Sequence, residues 1–293
     1  MGASEFVLPS APSRALPSGS CDTHAHVFGP YDAFPLAEQR TYTPAAAAPR
    51  EQYMAMLASG GFDRGVLVHG GAHGWDHRAM LDAIAASPAR LRGIGVVPAD
   101  ATDAQLESLA MAGVRGLRFT EVAGPTASQA VPGRVGFDAL YELAPRMRAL
   151  NWQAVMWANA PAIAAAADRL SGLGLPLVID HMGFFDVDKG VVDPSFQTLL
   201  ALVREGRAWV KLTSFRNSKS PPKHEDVRLF HDAFVNANAD RLLWGSDWPF
   251  LGMKDYKPDN GKLLDLLDHW IDGDDELRRR ILVDNPAALY GFE

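Results

Sequence analysis

Residues 177–181 read Leu177-Val178-Ile179-Asp180-His181: three apolar residues of β character that end abruptly in an acid and a histidine. An amphipathic stretch, Ile163–Leu173, precedes them, and another, Ser195–Glu205, follows. Short apolar run, polar loop and longer amphipathic segment form the unit of a parallel sheet with helical crossovers. The unit recurs along the chain. Strand candidates are Ser20–Thr23, Arg64–His69, Leu91–Val97, Gly116–Phe119, Gln153–Trp157, Leu177–Ile179, Ala208–Leu212 and Leu242–Trp244. Helical segments between them are Arg50–Ser59, Asp76–Ser87, Ala104–Ala112, Phe137–Leu150, Ile163–Leu173, Ser195–Glu205 and Asp226–Ala237; Leu263–Trp270, Asp275–Val283 and Asn285–Tyr290 come after the last strand. Eight such units predict an α/β protein, a single-domain (β/α)8 TIM-type barrel, although spacing alone also fits a doubly wound sheet.

Bulk composition agrees. At 293 residues and 47% hydrophobic, the chain supports one packed core, and a barrel takes about 250 residues. The expected barrel spans 20–293, after a Pro-, Ser- and Ala-rich flexible arm over 1–19. A net charge of −7 with scattered Lys and Arg excludes a nucleic-acid surface. No apolar run is long enough for a membrane span. The one cysteine, Cys21, precludes an internal disulfide and suits the cytoplasm. Nothing in the sequence speaks to oligomeric state.

A barrel of this kind gathers its chemistry just past the C-terminal ends of its strands. The residues found there are Asp22, His24 and His26 after the first strand, His69 and His73 after the second, and Asp100 after the third. Arg118 and Glu121 belong to the fourth, Trp157 and Asn159 to the fifth, Asp180 and His181 to the sixth, Lys211, Thr213 and Arg216 to the seventh, and Ser246, Asp247 and Trp248 to the eighth. Histidines and acids at one end of several strands converge on one place. His24 and His26, two apart in extended backbone, face the same side. A lone His-x-His is more often a surface loop; His181 and Asp247, each ending an apolar strand, reverse that reading. His24, His26, His181 and Asp247 form a plausible shell for one divalent metal, zinc by donor type, and equally a set that works with none. Arg118, inside a strand, needs an anionic partner; a substrate carboxylate is favoured over Glu121. His69 fits the pocket or the barrel rim equally. His77, His224, His231 and His269 read as surface residues.

Cys21-Asp22-Thr23-His24-Ala25-His26-Val27-Phe28-Gly29-Pro30, Val178-Ile179-Asp180-His181-Met182-Gly183, Leu243-Trp244-Gly245-Ser246-Asp247-Trp248-Pro249 and Asn285-Pro286-Ala287-Ala288-Leu289-Tyr290-Gly291 resemble the strand and closing-helix motifs of the amidohydrolase superfamily. The blocks run from about residue 20 to the end of the chain. Tyr42 before Thr43-Pro44, His73-Gly74 and Arg115-Gly116-Leu117-Arg118-Phe119 bring the resemblance to its lactonase subgroup, that of the 2-pyrone-4,6-dicarboxylate lactonases. The resemblance implies Asp247 as general base on water. It implies that His24, His26 and His181 hold a metal or polarise the lactone carbonyl directly, and that Arg118 and Tyr42 touch substrate.

The sequence departs from the pyrone lactonases at several points. Phe184 stands where they carry an arginine after His-Met-Gly, Gly124 and uncharged neighbours stand near another, and Trp157 replaces a tyrosine. Arg216 lies close to the place of a further substrate arginine. Trp75, Trp157, Phe184, Phe185, Phe215 and Phe250 supply apolar surface instead, with Phe184 and Phe185 expected beside the site. Loss of bidentate arginines argues against a dianionic substrate. The expectation is therefore a hydrolase opening the ring of a small sugar-acid, pyrone or muconate-type lactone that is less anionic and more apolar than a pyrone dicarboxylate. Tyr42, His73, Arg118, Trp157, Phe184 and Arg216 would bind this lactone or carboxylic acid. Alternatives are a non-oxidative decarboxylase, disfavoured because Met156-Trp157-Ala158-Asn159 has no histidine, a lactone isomerase, and a ligand-binding barrel whose catalysis has decayed.

Overall fold

The structure, a computed structural model, describes residues 7–122, 131–253 and 256–293. Its core is an eight-stranded parallel sheet in sequence order. The strands are β1 (Cys21–Ala25), β2 (Arg64–Val68), β3 (Leu91–Gly95), β4 (Val114–Glu121), β5 (Gln153–Ala158), β6 (Leu177–Ile179), β7 (Ala208–Lys211) and β8 (Leu242–Leu243). Helices α1 (Arg50–Gly60), α2 (Arg78–Ala86), α3 (Asp103–Met111), α4 (Phe137–Ala149), α5 (Ala160–Ser171), α6 (Pro194–Arg204) and α7 (Arg228–Ala237) form the crossovers, and α8 (Asn260–Trp270), α9 (Asp275–Arg279) and α10 (Asn285–Tyr290) follow. The sheet closes on itself: Thr23 N donates to Trp244 O at 3.1 Å, His26 N to Trp248 O at 2.8 Å and Asp247 N to His24 O at 2.7 Å. This is the (β/α)8 barrel, and the doubly wound sheet is excluded.

The strands are apolar on both faces because both faces are covered. Val66, Val68, Ile94, Val155, Val178 and Leu243 fill the barrel, and Tyr290 and Phe292 pack against them. Phe292 lies under the guanidiniums of Arg64 and Arg92, which belong to the starts of β2 and β3, so the chain's end plugs the N-terminal mouth. Chemistry is left to the other mouth.

At two helix starts that differ from their predicted positions, side chains that compete for backbone groups explain the difference. Helix α2 starts two residues late because Asp76 accepts from Arg78 N at 3.0 Å instead of joining the helix. Helix α5 starts three residues early because Asn159 caps it, its Oδ1 accepting from Ala162 N at 3.1 Å. The described part of the arm, residues 7–19, lies on the outside: Ser10 bonds the Asp259 carboxylate, Ser13 bonds Asp265, and Arg278 donates to the carbonyls of Arg14 and Ala15. Gly261 makes room for it, since a Cβ there would stand 2.3 Å from Ser10 O.

Candidate active site

Strand β1 carries the histidine pair into the barrel through an irregularity. Its register against β2 shifts between Asp22 and Ala25. Without that bulge, His24 would share the face of Asp22, which turns toward Tyr53 of helix α1. With it, His24 and His26 lie side by side, ring centroids 5.0 Å apart, both buried. His181 follows β6, its ring 4.7 Å from that of His24. Asp247 follows β8 and faces all three: its Oδ1 is 3.6 Å from the Nε2 atoms of His24 and of His26, and its Oδ2 is 4.0 Å from Nε2 of His181.

His181 and Asp247 both adopt left-handed backbone, φ +51° and +53°, at a cost of about 1–2 kcal/mol each for a residue with a Cβ. The surroundings hold them there. Asn217 Nδ2 donates to His181 O at 2.8 Å, and Asp247 N donates to His24 O at 2.7 Å. Arg216 fixes the Asp247 side chain, donating Nε–H to Oδ2 while its Nη1 donates to Leu251 O at 2.8 Å.

Charge in this pocket is arranged in pairs. Burial alone would raise the Asp247 carboxyl, but Arg216 and the histidines hold it well below the usual carboxylate range. Asp180, equally buried, is held down by the Lys211 ammonium, His24 and Arg118 against the same burial effect. Lys211 Nζ is 3.0 Å and Arg118 Nε 3.3 Å from its two oxygens. Burial pushes His181 down to about 4 despite Asp247 and Asp180, so it is neutral at pH 7. Burial likewise pushes His24 well below the usual imidazole range, so Asp247 is an anion opposite neutral rings of His24 and His181.

The other expected positions divide. Arg118 finds its anionic partner in Asp180, whereas Glu121 accepts from Phe137 N at 3.1 Å at the start of α4. Trp157 and Phe184 pack into a wall beside His181: their rings are 4.8 Å apart and tilted by 58°, and Phe184 is 5.2 Å from the His181 ring. Phe185 is a correction. The left-handed Phe184, φ +40°, turns the chain so that Phe185 enters the core, stacked on Phe230 at 3.9 Å. Tyr42 stands edge-on to Phe28 and His73 stacks on it, and Phe28 lies 6.1 Å from His26. His69 donates to or accepts from nothing in the cluster; its Nε2 meets Gly74 O at 2.8 Å. His224 and His231 are buried rather than on the surface. On α7, His231 shares the inward stripe with Phe230 and Phe234 and packs on Trp270. Gly124 lies outside the described residues.

Two groups were not singled out from sequence as functional. Lys211 is fully buried between Asp180 and His24. A lysine that ends the apolar run Ala208-Trp209-Val210 must have a buried acid, which was the available signal. Asp22 ties β1 to the segment carrying Asp247, accepting from Ser246 N and Ser246 Oγ at 2.7 Å each, His24 N at 3.2 Å and Tyr53 Oη at 3.3 Å. Burial nevertheless pushes its carboxyl up to about 6. The native state therefore binds more protons than the unfolded chain between pH about 4 and 6, and stability falls with rising pH in that window. Relative to Asp22→Asn, the wild type should lose about 2 kcal/mol from pH 4 to 6. Urea unfolding at a series of pH values measures this, and parallel curves for the two proteins would contradict it.

The donor set also suits a metal ion. His26 Nδ1 is engaged with Val68 O at 2.9 Å, which leaves Nε2 turned to the pocket. His24 Nε2, His26 Nε2 and Asp247 Oδ1 are 3.3 to 3.6 Å from one another, and a tetrahedral ion at about 2.0–2.1 Å from each ligand places neighbouring ligand atoms about 3.3 Å apart. His24, Asp180 and His181 make a second such group. No helix among the described residues is long and apolar enough to cross a membrane.

Comparison with known proteins adds four findings. The amidohydrolase family profile matches residues 21–292. A 2-pyrone-4,6-dicarboxylate hydrolase of Comamonas testosteroni is 39% identical over 295 residues, covering 97% of this chain and 94% of its own. A 4-sulfomuconolactone hydrolase of Rhizobium radiobacter is 41% identical over 290 residues, covering 96% and 93%. Among solved structures, a "probable 2-pyrone-4,6-dicarboxylic acid hydrolase" from Acinetobacter baumannii with citric acid bound superposes with a TM-score of 0.80 at 28% identity, covering 94% of this chain and 100% of that one.

Proposed function

The chain belongs to the amidohydrolase family, and from that premise we propose that it hydrolyses the lactone ring of a small, singly anionic organic acid. One observation carries the reading: a buried Asp247, ionised and aimed by Arg216, 3.6 Å from the Nε2 atoms of two imidazoles. Asp247 takes a proton from water as its oxygen attacks the lactone carbonyl. The imidazoles of His24, His26 and His181 line the place where negative charge develops on the carbonyl oxygen, in a site dry enough for their dipoles to count. The ring C–O bond then breaks, and Asp247 returns its proton to the leaving oxygen. His24, His26, His181 and Asp247 would hold one divalent ion, zinc by donor type, which would supply Lewis-acid polarisation of the carbonyl.

The substrate class follows from how the arginines are engaged. Arg118 Nε lies 3.3 Å from Asp180 and Arg216 is paired with Asp247, so part of the positive charge on each guanidinium is already met by a protein carboxylate, and Trp157 and Phe184 offer ring surface. Tyr42 and His73, grouped around Phe28, form the opposite side. The relatives, named for a dicarboxylate and a sulfonated lactone, act on ring esters of organic acids. Phe184→Arg should shift kcat/KM toward dianionic lactones by about tenfold or more, the scale of one charge-assisted bidentate contact. An unchanged ratio of dianion to monoanion rates would place Phe184 outside the pocket.

The reading is tested by following proton release with a pH indicator across sugar, pyrone and muconate lactones, before and after chelator treatment. Each ring opened liberates one carboxylic acid. Acidification with a member of the panel is expected; its absence across the panel, with carbon dioxide or an isomeric lactone as product, would replace hydrolysis by decarboxylation or isomerisation.

A further inference from the structure

We infer that Asn217 positions His181: its amide fixes the backbone from which that imidazole is presented, and so sets where the ring stands against Asp247. Two of the three imidazoles at the site are held through their rings. His26 Nδ1 is bonded to Val68 O at 2.9 Å, and His24 Nδ1 lies 3.2 Å from both Asp180 Oδ1 and Lys211 Nζ. His181 is different. Its Nδ1 is buried and has no hydrogen-bond partner among the described residues. The orientation that a bond at the second ring nitrogen gives its neighbours must reach His181 another way.

That way is the backbone. His181, Met182, Gly183 and Phe184 are four consecutive left-handed residues, with φ of +51°, +57°, +82° and +40°. Three of them carry a Cβ, which this conformation disfavours, so the turn persists only where its surroundings hold it. Packing holds the far half: Met182 is fully buried, and a Cβ on Gly183 would stand 2.3 Å from Leu199 Cδ2 of α6. At the near half, the His181 carbonyl accepts from Phe184 N at 3.3 Å, within the turn, and from Asn217 Nδ2 at 2.8 Å, outside it. The first bond moves with the turn; the second ties it to the segment after β7. The amide oxygen of Asn217 is buried without a partner, a cost that its donor must offset.

Asn217 follows directly on the short turn Ser214–Arg216. Arg216 N donates to Thr213 O and Asn217 N to Ser214 O, at 3.2 Å each, so the two side chains leave a common frame. Arg216 holds the Asp247 carboxylate, and Asn217 holds the His181 carbonyl. The 4.0 Å separation of Asp247 Oδ2 and His181 Nε2 is thereby set from one segment, although the two residues follow strands β8 and β6. This makes Asn217 a positioning residue acting through His181. Its effect on rate rests on the lactonase reading; its effect on the ring does not, so the two can fail separately.

The test is Asn217→Leu, which keeps the approximate shape of the side chain and removes the donor. Crystal structures of wild type and variant should show the His181 ring displaced by about 1 Å with His24 and His26 in place, and kcat on the lactone that the wild type opens should fall about 10²-fold, the scale of such a misplacement. KM should change less, since Tyr42, His73 and Arg118 approach from other elements. A side chain that merely satisfies a buried carbonyl would cost stability alone, so an unmoved ring, or an unchanged kcat, overturns the inference. A wild type that opens no lactone would overturn the lactonase reading, and the ring position in the two crystal structures would still decide the role of Asn217. Should Asn217→Leu not fold, Asn217→Ala removes the donor without added bulk and gives the same readings.

Discussion

Asp247→Asn should lower kcat by about 10³-fold or more while KM stays within a few-fold, the span that a positioned general base contributes. Asparagine has the shape of aspartate and still offers Arg216 an acceptor, so the pocket wall is kept. What disappears is the ability to take a proton from water and return it to the leaving oxygen. Among the described residues, Asp247 is the one carboxylate that meets all three imidazoles, at 3.6, 3.6 and 4.0 Å. Asp180 cannot substitute, because its oxygens are engaged by Lys211 and Arg118. Initial rates against lactone concentration measure the effect, and a near-normal kcat would remove Asp247 from the proton transfers.

Gly245→Ala should cost about 1–3 kcal/mol of stability and roughly 10²-fold in kcat/KM, although residue 245 touches no substrate. A Cβ there would lie 2.7 Å from His24 Cβ and 3.1 Å from His24 N. These atoms are close to the backbone that closes the barrel between β1 and β8, so they cannot swing aside as a side-chain tip would. Something must shift, and the nearest mobile object is the His24 ring with its contacts to Lys211, His26 and Asp247. Urea denaturation reads the first effect and steady-state kinetics the second. Full activity with lowered stability would mean that the barrel seam relaxes without moving His24.

The barrel was legible because each strand is a short apolar run with polar residues at its end, and the Leu177–Ile179 strand coincides with its predicted span. His24, His26, His181 and Asp247 were legible for the same reason: each interrupts or ends such a run. The rest depended on parity and partners that periodicity does not carry. The bulge in β1 that turns His24 inward leaves no sequence signal beyond the His-x-His itself. Phe185 was misplaced because a left-handed residue before it reverses the direction in which side chains alternate. His231 was misread because a histidine on an amphipathic helix is polar by type, yet here sits on the stripe that faces Trp270. Arg118 was correctly expected to need an anion, but Asp180 lies two strands away in the sheet, a pairing that only the closed barrel brings to 3.3 Å.

The central claim is that Asp247 activates water for attack on a lactone carbonyl. It is tested most directly by a single turnover, with enzyme in excess over lactone, in water enriched in oxygen-18. The account predicts that the first product molecule already carries one heavy oxygen in its new carboxylate. An unlabelled first product, with the label appearing only in later turnovers, would make Asp247 a nucleophile instead of a base, and a product never labelled would mean that no water is added at all.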